Sequence, residues 1–368
     1  MTFGDGHEHH RLRDVWQLFV IILWYYRLHY TFGEIINDKL FVNEALIIMY
    51  SLMGVLLTIP LASFLLAKGM SRSKSEAKME TKQIELKNFN GRTYSIATYT
   101  VKHHHQPLDK LRPLAIVVPG GSFTHLSVKE SEPVALAYVA RGFNACVVSY
   151  NLLQDEGKIY PDAGLDVLST VSYYRDHAVD YQIDPDKIMT IGFSAGGHIA
   201  SAANYLADSP KYQKQFGYED DQVRPNATIL GYPLTDVHKV AFEIGGKADG
   251  ALPDDEKLVD TALGVTPKTP PTFIFQSWND PICLPTNAMA YEEALFKNGV
   301  KCEAHMFDTG FHGYSLATPE LATNDISWQG NQHVAQWFKL SLEWLAHVFS
   351  GIDYDENKDK LTNLYMPK

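Results

Sequence analysis

Gly192-Phe193-Ser194-Ala195-Gly196 sets a serine between two small residues. The run KIMTI, Lys187 to Ile191, leads into it, and an alanine-rich stretch, Ala195 to Leu206, leads away. A strand entering such a turn and a helix leaving it would hold the serine in a strained conformation, its hydroxyl raised above a sheet. The positions two before and two after must be small because strand and helix meet there, and Gly192 and Gly196 satisfy this. A serine so placed suits nucleophilic attack on an acyl carbon, but its hydroxyl needs a base, and the base needs an orienting carboxylate. Asp280 directly follows the strand pattern TFIFQSW, and His312 lies in Thr309-Gly-Phe-His-Gly313 just after EAHMF. The order serine, aspartate, histidine is the one expected for a nucleophile on such a turn.

The tetrahedral intermediate of acyl transfer also needs hydrogen-bond donors for its oxyanion. The backbone N–H of Ala195 is one, and the turn Pro119-Gly120-Gly121-Ser122-Phe123 predicts Gly121 and Ser122 as the others. Asp236, one strand earlier than Asp280, is the alternative carboxylate. Among other histidines, His198 lies inside the predicted helix and His305 inside a strand. His103, His104 and His105 are adjacent, so they cannot converge on one ion and read as a solvated loop. Cys146, Cys283 and Cys302 are too few and scattered for a disulfide framework or a zinc site and are expected as buried free thiols. The mechanism calls for no metal and no organic cofactor.

Strands alternating with helices must hold these residues. A hairpin at Asn90-Gly91 joins IELKNF to TYSIATYTV. Further strands are expected at 114–118, 145–149, 187–191, 227–230, 272–275 and 303–307. Helices are expected at 133–140, 163–175, 195–206, 286–297 and 333–349. The last is amphipathic through Trp337, Leu340, Leu342, Trp344 and Leu345. The alternation predicts βαβ units and a mostly parallel sheet in one domain over 83–350, followed by a polar tail, 351–368.

The beginning of the chain reads differently. Ala45 to Ala67 carries no charged residue and would make a helix of roughly 35 Å, long enough to cross a bilayer. A second apolar stretch, within 15–30, is flanked by Arg11, Arg13 and Arg27 and is rich in Trp and Tyr, as a further span would be. Residues 1–69 are therefore expected to anchor the chain in a lipid bilayer, with a polar linker over 70–82. Lys68, Arg72, Lys74 and Lys78 follow the longer run, which predicts the globular part on the cytoplasmic side of a cell membrane.

The whole chain has 368 residues and a net charge of −11, with 45% hydrophobic and 20% charged residues. That is a globular composition with room for a sizeable core. Forty-three acidic against 32 basic residues argue against a nucleic-acid partner, which needs a basic face.

The segments PGGSF, GFSAGGH, WNDP, GFHGY and SLEWL together resemble the α/β-hydrolase superfamily over residues of about 84–350. Within it, they are similar to the esterase/lipase group of acetyl-xylan and feruloyl esterases of the BD-FAE type and of hormone-sensitive-lipase-like esterases. Pro119 and Ser122 stand where the first His and last Gly of an HGGG turn would be. The resemblance implies an α/β-hydrolase fold behind the anchor and a serine carboxylester hydrolase acting through Ser194, His312 and Asp280. The segment from Asp236 to Pro270 is short and polar for a lipase lid, which points to short-chain acyl esters as the small-molecule substrate. Phe123, Tyr232 and Trp278 are expected to line the pocket. A peptidase or acyltransferase of the same fold, or a catalytically silent membrane-tethered binding protein, are the alternative functions.

Overall fold

The computed structural model describes residues 78–102, 111–156, 158–239, 253–322 and 330–350. They belong to one of two units into which the chain divides, Ser75–Lys368. The expected spans at 15–30 and 45–67, most of the linker, His103 to His105 and the tail 351–368 lie outside the described residues. Among the described residues no helix is long and apolar enough to cross a membrane.

Eight strands form one sheet: β1 (Lys78–Lys87), β2 (Thr93–Lys102), β3 (Arg112–Val118), β4 (Asn144–Ser149), β5 (Ile183–Phe193), β6 (Ala227–Gly231), β7 (Thr272–Ser277) and β8 (Cys302–Phe307). Their order is β1-β2-β4-β3-β5-β6-β7-β8. β2 runs antiparallel to both β1 and β4, and every pair from β4 to β8 is parallel. The helices are α1 (Glu132–Val139), α2 (Asp162–Asp176), α3 (Ala195–Asp208), α4 (Thr286–Lys297) and α5 (Gln336–Ser350), with shorter helical turns between them.

One boundary departs from the sequence reading. Residues 78–82, expected as linker, are the first half of β1 and pair with β2 from Lys78↔Lys102 to Lys82↔Thr98. A strand at the sheet edge keeps charged side chains in solvent while its backbone pairs on one side. Composition therefore disguised it as a tether.

The strands β3 and β5 to β7 are buried on both faces, which explains their continuous apolar runs. On one face Ile116, Leu165, Leu168, Ile199 and Leu206 join β3 to α2 and α3. On the other, Val117, Ile191, Phe193, Tyr138 and Trp337 join the sheet to α1 and α5. The Trp337 indole is fully buried and stacks on Phe275 at 4.1 Å. That contact fixes α5 against β7, the neighbour of the edge strand β8. At the hairpin, the Asn88 amide donates to Asp166 at 2.8 Å and thereby ties β1–β2 to α2. Burial pushes the Asp166 carboxyl up to about 7.

Register decides where the loops emerge. Val118 pairs with Gly192, Phe193 with Gly231, and Gly231 with Phe275. The loops that follow β3, β5, β6 and β7 therefore leave the sheet at one edge, its carboxyl end.

Candidate active site

Ser194 forms a one-residue corner between β5 and α3, with φ 51° and ψ −121°. A non-glycine residue held there is strained and must be over-determined by its surroundings. Its N–H donates to the Gly231 carbonyl at 3.1 Å, and its own carbonyl accepts from Gly197 at 2.9 Å and Leu234 at 3.1 Å. The flanking glycines are required by contact: a Cβ on Gly192 would stand 2.3 Å from the Gly196 carbonyl oxygen. One on Gly196 would stand 2.1 Å from the carbonyl oxygen of Val118.

The corner presents its hydroxyl to the loop after β8. Ser194 Oγ lies 2.8 Å from His312 Nε2, and His312 Nδ1 lies 2.7 Å from Asp280 Oδ2. The other oxygen of Asp280 accepts the N–H groups of Ile282 at 2.8 Å and Cys283 at 3.0 Å. With that carboxylate as its acceptor, Nδ1 carries the proton, and Nε2 is left to accept from the serine hydroxyl. The Asp280 side chain is wholly buried and that of His312 is 12% exposed. Three residues far apart in sequence thus meet in the arrangement that activates a serine for acyl transfer.

The turn after β3 packs against this corner. A Cβ on Gly120 would lie 2.9 Å from the Cβ of Ser194. Gly121 has φ 127°, and Ser122 and Phe123 have φ 55° and 58°, so the loop doubles back sharply. Among the described residues no intramolecular acceptor takes the N–H of Gly121, Ser122 or Ala195. Those amides stay available to an oxyanion, and Ala195 also opens a 14-residue helix whose dipole favours negative charge.

The structure separates the competing residues from this centre. Asp236 faces Lys239 at 3.0 Å. His198 is buried, with Nδ1 2.5 Å from the Tyr160 hydroxyl and Nε2 3.1 Å from the Val259 carbonyl. Burial lowers its imidazole to about 4, which leaves it neutral and fully engaged. Cys283 Sγ is 3.8 Å from Ser194 Oγ, but burial pushes the thiol up, away from the reactive thiolate. Cys146 and Cys283 are buried as expected, whereas Cys302 is exposed because it opens the edge strand β8.

The expected pocket residues diverge. Phe123 is buried, its ring edge-on to His198 at 5.9 Å. Tyr232 does not line an open pocket: it is fully buried behind the imidazole, with ring centroids 5.0 Å apart. Its hydroxyl is engaged by Glu130 and the Ser315 amide, which drew the ring inward. Trp278 is 61% exposed, just after β7 and two residues before Asp280. Sequence reasoning missed Glu130, which lies in the polar run SVKESE and is nonetheless buried. No local pattern announces it, because its partners are 10 and 102 residues away.

Sheet order, corner and converging side chains define a protein of α/β-hydrolase fold. The chain belongs to the BD-FAE family, whose model matches residues 102–295. A second model, of YibE/F-like proteins, matches residues 17–72. The carboxylesterase Cest-2923 of Lactobacillus plantarum is 28% identical, with a TM-score of 0.67 over 73% of this chain and 97% of that one. An acetylxylan esterase of Xylanibacter ruminicola is 30% identical over 210 residues, 55% of this chain and 41% of that protein. Endo-1,4-beta-xylanase B of Butyrivibrio fibrisolvens is 29% identical over 229 residues, 61% and 35% respectively. The chain spans 35% and 41% of the length of these two curated relatives.

Proposed function

We propose that this chain is a serine-dependent carboxylic ester hydrolase acting on short-chain acyl esters. The observation that carries the reading is the continuous hydrogen-bonded series from Ser194 Oγ through His312 to Asp280. Ser194 Oγ attacks the ester carbonyl carbon while His312 Nε2 takes the hydroxyl proton. Asp280 holds the imidazole in its tautomer and stabilises the imidazolium. The carbonyl oxygen becomes an oxyanion that accepts from Ala195, Gly121 and Ser122. As the intermediate collapses, His312 returns the proton to the departing alcohol and leaves an acyl-serine. Water, deprotonated by the same imidazole, then releases the acid and restores the serine.

The preference for short acyl groups is supported by the stretch between Asp236 and Pro270. Its described part holds only the four-residue helix Glu256–Val259 and the turn Thr261–Gly264. Hydrolysis of p-nitrophenyl esters tests this, with kcat/KM expected to be at least about tenfold higher for acetyl or butyryl than for octanoyl; each mismatched apolar contact shifts such a ratio by roughly 1–3 kcal/mol. A maximum at octanoyl would reject it.

The reading includes an N-terminal anchor, residues 1–69, that leaves the catalytic domain on the cytoplasmic side. It is supported by the uncharged run Ala45 to Ala67 and the basic residues after it. Added protease is expected to digest the domain in inverted vesicles and spare it in intact cells. Digestion in intact cells would place it outside.

A further inference from the structure

Glu130 ends the 3-10 turn Val128–Glu130 and is 3% exposed, while Val128, two residues earlier, is 80% exposed. Among the described residues no lysine, arginine or histidine forms an ion pair with it. Its two oxygens instead take two neutral donors. Oε2 accepts the Gly120 N–H at 2.9 Å, and Oε1 accepts the Tyr232 hydroxyl at 2.6 Å. Taking a carboxylate out of water is costly, so its donors identify what the fold gains from it.

The two donors belong to the two segments that flank the reacting atoms. Gly120 immediately precedes Gly121 and Ser122. The Tyr232 oxygen also accepts the N–H of Ser315 at 3.0 Å, three residues beyond His312. The Ser315 hydroxyl then donates to the Lys129 carbonyl at 2.5 Å, which closes a ring back to the residue before Glu130. Tyr232 and Ser315 have φ of 32° and 51°, values that side-chain-bearing residues keep only when held. The Tyr232 ring stands edge-on to the imidazole at 69°.

We infer that Glu130 is a positioning residue of the proposed reaction. Through Gly120 it sets the oxyanion turn, and through Tyr232 and Ser315 it sets the histidine loop, so the two halves of the site keep a common register. Both partners donate to Glu130, so the position calls for two acceptor oxygens. A glutamine keeps an acceptor for Gly120 but turns its amino group toward the Tyr232 oxygen, already bound by the Ser315 N–H, and leaves the Tyr232 hydrogen without its acceptor.

The inference rests on the esterase reading, and the test separates the two. Full-length wild type, Glu130→Gln, Tyr232→Phe and the double variant are compared by steady-state hydrolysis of p-nitrophenyl acetate and by the rate of fluorophosphonate labelling. A role in register predicts that Glu130→Gln lowers kcat by about 10–100-fold, comparable with losing part of an oxyanion hole, with KM within about threefold. Tyr232→Phe lowers kcat by a smaller factor in the same manner. The double variant is no slower than the slower single, because both substitutions break one linkage. Labelling rates fall in parallel with kcat. Losses carried by KM, multiplicative losses in the double variant, or kcat within twofold of wild type in both singles would overturn the inference. Should Glu130→Gln fail to fold, Tyr232→Phe decides on the same kcat and KM criteria. A wild type that neither hydrolyses the ester nor labels removes the esterase reading itself, and the inference with it.

Discussion

Ser194→Ala is expected to lower kcat by about 10⁴–10⁶-fold while the fold persists, the scale seen when a serine nucleophile is removed from such a triad. The backbone bonds that hold the corner involve the N–H and carbonyl of residue 194, and alanine retains them. What disappears is the oxygen 2.8 Å from His312 Nε2. The oxyanion donors and the binding surface remain, so a small rate above that of water survives. Hydrolysis of p-nitrophenyl acetate and fluorophosphonate labelling provide the readout, with thermal melting as the control for folding. Activity above about one percent of wild type would move the nucleophile elsewhere, since triad losses fall far below that level.

Asp280→Asn is expected to cost about 10⁴-fold in kcat with little change in KM, through the imidazole tautomer. In the wild type one carboxylate oxygen accepts two amides, from Ile282 and Cys283, while the other accepts from His312 Nδ1. An asparagine at this position must turn its oxygen toward the two amides, because its amino group has nothing to accept their hydrogens with. The amino group then faces Nδ1, which has to serve as acceptor. The ring proton moves to Nε2 and points at the serine oxygen. In that tautomer the imidazole cannot take the hydroxyl proton. A loss below about tenfold would show that Asp280 does not govern the tautomer, for which the expected cost is three orders larger.

The parts of the site that were legible in the sequence are those written in local contacts. The corner at Ser194 needs glycines on both sides, and strand and helix periodicities flank it directly. Asp280 and His312 sit three and five residues beyond strand ends, which in a parallel sheet is enough to assign them to one edge. Tyr232 was expected to line the pocket, and its ring is buried instead. Whether its ring turns outward or inward depends on a carboxylate 102 residues earlier. Glu130 itself reads as solvated, because SVKESE carries charge and serine without an apolar period. The first residues of β1 were hidden likewise. Lys78, Glu80 and Lys82 read as tether, and the ladder to β2 that makes these residues a strand is a pairing between separate segments.

That outermost strand carries one more implication. Among the described residues no strand pairs with β1 on the side away from β2. A foreign chain that docked there would have to lay its own backbone beside Lys82, Glu85 and Lys87, all solvent-facing. Desolvating those groups opposes recruitment. In concentrated solution this edge of the sheet is thereby guarded against serving as a template on which fibrils grow.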